Sequence, residues 1–150
     1  MVDAEARREA AYAHGVPRPS SEAKARNMRA VRRANTQPEL RLRRALHADG
    51  LRYRVDLRVV LPGGAVRPDV VFTRGRVAVF VDSCFWHACP EHGTVPASNT
   101  DFWTAKLERN VVRDALSNEL LEAAGWRVVR AWEHEPTEVT VERVRRALGR

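Results

Sequence analysis

Hydrophobic and polar positions switch between a helical and a strand period along the chain, and the switches mark its elements. Residues 1–20, with Gly15, Pro17 and Pro19, keep no sustained period and predict an N-terminal arm. Ser21 is placed to cap a helix running to about Arg33, with Met28 and Val31 as its few apolar contacts. Thr36-Gln37-Pro38-Glu39 carries two helix-start signals. Thr36 and Glu39 have capping-box spacing, and Pro38 suits a first turn, where a missing N–H costs nothing. The helix that follows directs Leu40, Leu42, Ala45 and Leu46 toward a core and stops near Gly50.

Partial alternation through Leu51, Tyr53, Val55 and Leu57 predicts a strand to Val60 with one covered face, broken by Pro62-Gly63-Gly64. Val70-Val71-Phe72 and Val77-Ala78-Val79-Phe80-Val81 are continuous apolar runs joined by Thr73-Arg74-Gly75-Arg76. They predict a hairpin whose second strand is buried on both faces. Cys84 to Pro96 is a loop rich in Cys, His and Pro. A long helix is expected from Thr100 toward Ala124, with Trp103, Leu107, Val111, Ala115 and Leu120 at helical spacing and Gly125 as its stop. Trp126 to Trp132 predicts a further strand, and Val141, Val144 and Leu148 a last amphipathic helix. This order predicts a compact α/β domain over 21–150, with a mixed central sheet flanked by helices.

Composition narrows the function. In 150 residues the chain carries 26 Lys plus Arg against 19 Asp plus Glu, a net charge of +7. The excess is uneven: residues 1–48 hold eleven basic and five acidic residues, whereas 49–150 hold fifteen and fourteen. An Arg-rich front on a near-neutral body points to a polyanion partner, since such charges neutralise phosphates and release counterions. No apolar run approaches the ~20 residues that cross a bilayer, and the first residues lack a signal-peptide core, so a cytoplasmic protein is expected. Two cysteines a few residues apart build no disulfide framework, which leaves buried thiols or metal ligands.

The densest chemistry lies in Cys84-Phe85-Trp86-His87-Ala88-Cys89-Pro90-Glu91-His92, with His134 following the strand that ends at Trp132. Zn²⁺ takes four thiolate or imidazole ligands in a closed structural site. Five candidates compete for the four places, and Cys84, Cys89, His92 and His134 are assigned to zinc, leaving His87 free. Such a clip would fix a long loop that has little apolar surface of its own. Asp69 emerges behind Pro68 where an apolar run begins, and Asp82 follows the next run. With Glu39 and Asp114 they form a carboxylate set suited to Mg²⁺, which needs hard oxygen ligands. Trp126 and Trp132 read as core. Phe85 and Trp86 read as exposed, and with Trp103 they are rings able to enter a base step of DNA.

Together these residues resemble the very-short-patch-repair (Vsr) family of DNA mismatch endonucleases, from about Ser21 to Glu135. The resemblance is carried by Arg26-Asn27-Met28-Arg29, Pro68-Asp69-Val70-Val71-Phe72 and Cys84-Phe85-Trp86-His87. Asn110-Val111 with Arg113-Asp114, and Gly125-Trp126-Arg127-Val128 with Trp132-Glu133, complete it. It implies a restriction-endonuclease-like fold, a structural zinc, and Mg²⁺-dependent nicking of one strand of double-stranded DNA beside a T:G mismatch, by a monomer. Such a mismatch arises when 5-methylcytosine deaminates. The resemblance makes Asp69 the central Mg²⁺ ligand with the Val81 backbone carbonyl, His87 the general base, and Glu39 and Asp114 carboxylates near the reacting water. Phe85, Trp86 and Trp103 match the wedging aromatics, and Arg26, Asn27 and Arg29 match DNA-binding positions. The chain departs from the family pattern at Val81-Asp82-Ser83, where some members have Thr-His-Gly. It also departs at the longer Gly63–Arg67 link, at Val112, and at His134, which stands in for a Cys.

Overall fold

The computed structural model describes residues 35–150. The expected arm, the helix expected from Ser21, and Arg26, Asn27 and Arg29 lie outside the described residues. The order is α1 (Gln37–Ala48), β1 (Val59–Leu61), β2 (Gly64–Val66), β3 (Val70–Phe72), β4 (Val77–Asp82), α2 (Thr100–Ala123), β5 (Arg127–Trp132) and α3 (Thr137–Ala147). This is the mixed α/β arrangement the patterning predicts. Antiparallel β3 and parallel β5 flank β4, with Val70 opposite Val79 and Ala78 opposite Val128. A parallel neighbour requires a crossover. Here it consists of the Cys/His loop and α2, so the sheet and the chemistry-bearing segments are built as one unit.

Period-two alternation sends neighbouring residues of these strands to opposite cores. Val70, Phe72, Val77, Val79 and Val129 pack with Leu42 and Leu46 of α1 and Val144 of α3. Val71 and Ala78 pack on the other face with Val59, Leu61, Val66 and Leu121. Burial on both faces is why β3 and β4 read as unbroken apolar runs. Leu121 is fully buried while Val112, on the same helix, is 59% exposed. Leu121→Ala should therefore cost about 2–4 kcal/mol in urea unfolding, and Val112→Ala less than about 0.5 kcal/mol. Similar losses at the two positions would refute this division of the helix.

Two expectations need correction. The strand expected over Leu51–Val60 forms only at its end, where Val59 and Val60 begin β1. Before them only Arg54 pairs, through an isolated bridge to Val71, and Asp56 takes a left-handed φ of 53°. Leu51 and Tyr53 pack into the first core and Leu57 into the second, while Val55 is 42% exposed. The segment passes around the β3 edge from one face to the other, so a single covered face does not exist. Beyond it, Pro62-Gly63-Gly64 does not end a sheet but turns a small hairpin, with β1 antiparallel to β2.

The long helix also packs differently from its pattern. Trp103, Leu107 and Leu121 are buried, but Val111 and Ala115 are exposed and Leu120 only half-buried. α2 buries apolar side chains only toward its ends, and its middle borders a cleft and meets the protein through polar contacts of Asn110, Asp114 and Asn118. In α1, Leu42 and Leu46 are buried, with Leu40 and Ala45 at its margins. Gly125 ends α2 in the left-handed region (φ 82°), as expected.

Candidate active site

The cleft opens at the carboxyl ends of β4 and β5. Because β3 runs antiparallel to β4, its first residues meet the last residues of β4, and this brings Asp69 to the same end. The Asp69 N–H donates to the Val79 carbonyl at 3.0 Å. Its carboxylate then accepts the Val81 N–H at 2.7 Å, continuing the ladder with a side chain where β3 has run out. Burial pushes the Asp69 carboxyl up to about 6. The Val81 N–H opposes that rise, and the neighbouring charges of Glu39 and Asp82 add to it.

Glu39 reaches the cleft from the first turn of α1. Thr36 caps the helix by accepting the Glu39 N–H at 3.4 Å, but the return bond of the expected capping box is displaced by one residue. The buried Glu39 carboxylate accepts the Asn35 N–H at 2.8 Å and pairs with Arg43 at 3.4 Å.

His87 sits in the loop after β4, held by its N–H to the Ser83 carbonyl at 3.1 Å. Its Nδ1 lies 2.5 Å from the Asp114 carboxylate on α2 and 3.6 Å from that of Asp82. Burial favours the neutral ring, yet the Asp114 bond and the Asp82 charge outweigh it and raise the imidazole pKa. With Nδ1–H engaged by Asp114, Nε2 remains as the ring's acceptor. Asp69, Glu39, Asp82, His87, Asp114 and Glu133 all line one cavity of about 620 Å³. Asp82, which the sequence reading placed in the carboxylate set, lines the cleft and pairs through one oxygen with Arg130 at 2.8 Å.

Cys84, Cys89, His92 and His134 form a second cluster, their ligand atoms all within 4.8 Å of one another. His134 Nδ1 lies 3.2 Å from both Cys84 Sγ and His92 Nδ1. Two ring nitrogens and two sulfurs turned toward one point fit a tetrahedral cation of the zinc type. Burial and the adjacent Cys89 sulfur push the Cys84 thiol up to about 11, a conflict that a cation between the sulfurs would relieve. The loop turns tightly enough that a Cβ at Gly93 would come within 2.4 Å of the Cys89 carbonyl. Of the five candidates the sequence offered, the four assigned converge, and His87 stands apart on Asp114.

Phe85 and Trp86 are half-buried rather than exposed as expected. They meet each other edge-on at 4.9 Å and lean on Trp103, which is 7% exposed and forms the floor of the cluster. Trp126 packs into the second core, and Trp132 is half-buried, stacked on the His134 ring.

Several cleft residues had no role in the sequence reading, although Asn110 and Arg113 lay in a stretch that carries the resemblance. Lys106 lies 5.4 Å from the Trp86 ring centre, and Asn110 Nδ2 donates to the Trp86 carbonyl at 3.0 Å. Arg113 and Arg130 complete the set. On α2 the signal was a polar stripe, Lys106, Asn110, Arg113, Ser117, at helical spacing on a helix read for its apolar face. For Arg130 it was a lone charge inside Val128-Val129-Arg130-Ala131.

Sequence comparison places this chain among known proteins. The family described as DNA mismatch endonuclease Vsr matches residues 19–91. The chain is 50% identical over 141 residues to the type II nicking enzyme V.NaeI of Lentzea aerocolonigenes, spanning 93% of this chain and 85% of that protein. It is 43% identical over 110 residues to the type II nicking enzyme V.XorIIP of Xanthomonas oryzae pv. oryzae, spanning 72% and 77%. It is 40% identical over 114 residues to the DNA mismatch endonuclease Vsr of Escherichia coli, spanning 73% and 69%.

Proposed function

The chain belongs to the Vsr family of DNA endonucleases, and from that premise we propose that it nicks one strand of duplex DNA beside a T:G mismatch, beginning repair of deaminated 5-methylcytosine. The observation that carries this reading is the separation of His87 from the Cys/His cluster. Its ring is oriented by Asp114 at 2.5 Å and faces the cavity that also holds Asp69.

In this reading Asp69 and the Val81 carbonyl hold Mg²⁺, because both offer hard oxygens at one strand end. Bound there, Mg²⁺ would acidify water and stabilise charge on the phosphate. His87 accepts the water proton at Nε2 while Asp114 keeps the ring in that tautomer. Glu39 adds negative charge beside Asp69 and keeps Arg43 in place. The Cys84, Cys89, His92 and His134 cluster holds Zn²⁺ and pins the loop that carries His87. Phe85 and Trp86 supply the rings that enter the base stack, with Trp103 bracing them from below. Arg26, Asn27 and Arg29 add DNA contacts from outside the described residues.

The fold is read as restriction-endonuclease-like, with residues 21–150 as a single catalytic domain behind the arm 1–20. It acts as a monomer in the cytoplasm, on the nucleoid when bound to DNA. Among the described residues no helix is long and apolar enough to cross a membrane.

The test is nicking of labelled T:G and C:G duplexes in Mg²⁺ and in EDTA. One strand of the T:G duplex should be cut, in Mg²⁺ alone. Equal cutting of C:G would replace mismatch repair with a nuclease of broader specificity. Cutting in EDTA would remove the metal from the reading.

A further inference from the structure

Arg130 is a charged residue on a strand whose neighbours Val129 and Ala131 are buried. It lies opposite Phe80 in the β4–β5 register, with its guanidinium 4.1 Å from the Phe80 ring centre. A buried guanidinium is tolerated when its fork of donors is engaged. Here three of its five N–H donors meet partners, and the side chain is 18% exposed. Nε donates to Asn118 Oδ1 at 2.8 Å and one terminal nitrogen to Asp82 Oδ1 at 2.8 Å. The other lies 3.5 Å from the Asp114 carbonyl and 3.8 Å from its carboxylate.

These partners define a clamp. Asn118 and Asp114 lie one turn apart on α2, and Asp82 is the last residue of β4. Arg130 thus ties the middle of α2, which contributes little to either core, to the end of the central strand. The His87 ring is reached from both tied points, at 2.5 Å from Asp114 and 3.6 Å from Asp82. The loop around His87 has no regular structure, so its ring direction is borrowed from these carboxylates.

Resting on the reading of His87 as the base, we propose that Arg130 is a positioning residue for the nicking reaction. It fixes the Asp82 and Asp114 carboxylates beside His87 and thereby aims the imidazole. With Nε held by Asn118 and one terminal nitrogen by Asp82, both at 2.8 Å, its head is committed to these two elements and acts through Asp114 rather than by holding the DNA phosphate. Its loss therefore falls on the rate and spares binding.

The experiment is single-turnover nicking of the T:G duplex by the full chain, with binding measured separately in EDTA. Arg130→Lys keeps a positive charge beside buried Asp82 but loses the planar fork. It should slow nicking about 10- to 100-fold and leave the duplex Kd within about twofold. Asp114→Asn should also be slow. The double variant R130K/D114N should be no more than about threefold slower than D114N, because the two act in series. A downfield ring N–H proton of His87, expected in the wild-type NMR spectrum, should move or vanish in R130K. Arg130→Met with Asp82→Asn removes both buried charges together and should show the same rate loss should R130K fail to fold.

An R130K enzyme at the wild-type rate, losses that multiply in R130K/D114N, or a raised Kd with an unchanged rate would each overturn the proposal. Wild-type nicking separates the two levels. An inert wild type defeats the reading beneath, whereas an active wild type matched by R130K defeats this inference alone.

Discussion

Asp69→Asn should lower nicking of the T:G duplex by at least about 10³-fold while duplex binding is kept or tightened. Asparagine retains an oxygen to accept the Val81 N–H, so the bond that continues the β3–β4 ladder survives. What is lost is the charge that would hold a divalent ion, and with it a like charge close to the incoming phosphate. The same change should stabilise the metal-free protein. The Asp69 carboxyl is raised to about 6 by burial first and by Glu39 and Asp82 next, so the ionised form destabilises the fold. In EDTA at pH 8, D69N should gain about 1–2 kcal/mol and melt at a higher temperature. The gain is fully present above about pH 6, where the native carboxyl is ionised, and shrinks as pH falls toward the ordinary carboxylate range. Unchanged nicking by D69N would remove Asp69 from the metal site. A lower melting temperature would make it a structural residue instead.

The sequence revealed the parts of this site that depend on local signals and missed those that depend on three-dimensional routing. Val70–Phe72 and Val77–Val81 were readable because burial on both faces leaves no polar position to confuse the pattern. Their paired ends placed Asp69 and Asp82 near one another before any geometry was known. Dense Cys and His spacing singled out Cys84, Cys89, His92 and His134, whose ligand atoms the structure brings together, and the structure gives the His87 ring to Asp114 instead. Leu51–Leu57 was misread because alternation reports which residues are covered, not that they are covered by different faces. Val111 and Ala115 sit at good helical spacing, yet α2 bridges the cleft there and nothing packs on them. Arg130 carried no motif at all. Its importance comes from Asp82, Asp114 and Asn118, which lie 12 to 48 residues away along the chain.

Stripping the zinc proposed for the Cys84, Cys89, His92 and His134 cluster should unfasten the active-site loop and abolish nicking, although none of these residues touches the proposed chemistry. Between Phe85 and Asn99 only Cys89 is buried, so burial of apolar surface contributes little to holding the segment. Its attachments are Asn110 on the Trp86 carbonyl, Asp114 on His87, Phe85 and Trp86 against Trp103, and the link to His134. Removing a zinc ion from such a site deletes binding free energy that also serves as folding free energy, on the order of several kcal/mol. Cys84→Ser, or prolonged chelation, should lower the melting temperature by about 10 °C or more. Amide exchange should speed up between residues 85 and 96 before the β3–β4–β5 sheet is affected. Because His87 lies between Cys84 and Cys89, nicking should fall together with loop protection, and both should return when Zn²⁺ is restored to the chelated protein. One zinc per chain is the expected stoichiometry. A metal-free protein with unaltered melting, loop exchange and nicking would show that the four side chains converge for packing alone.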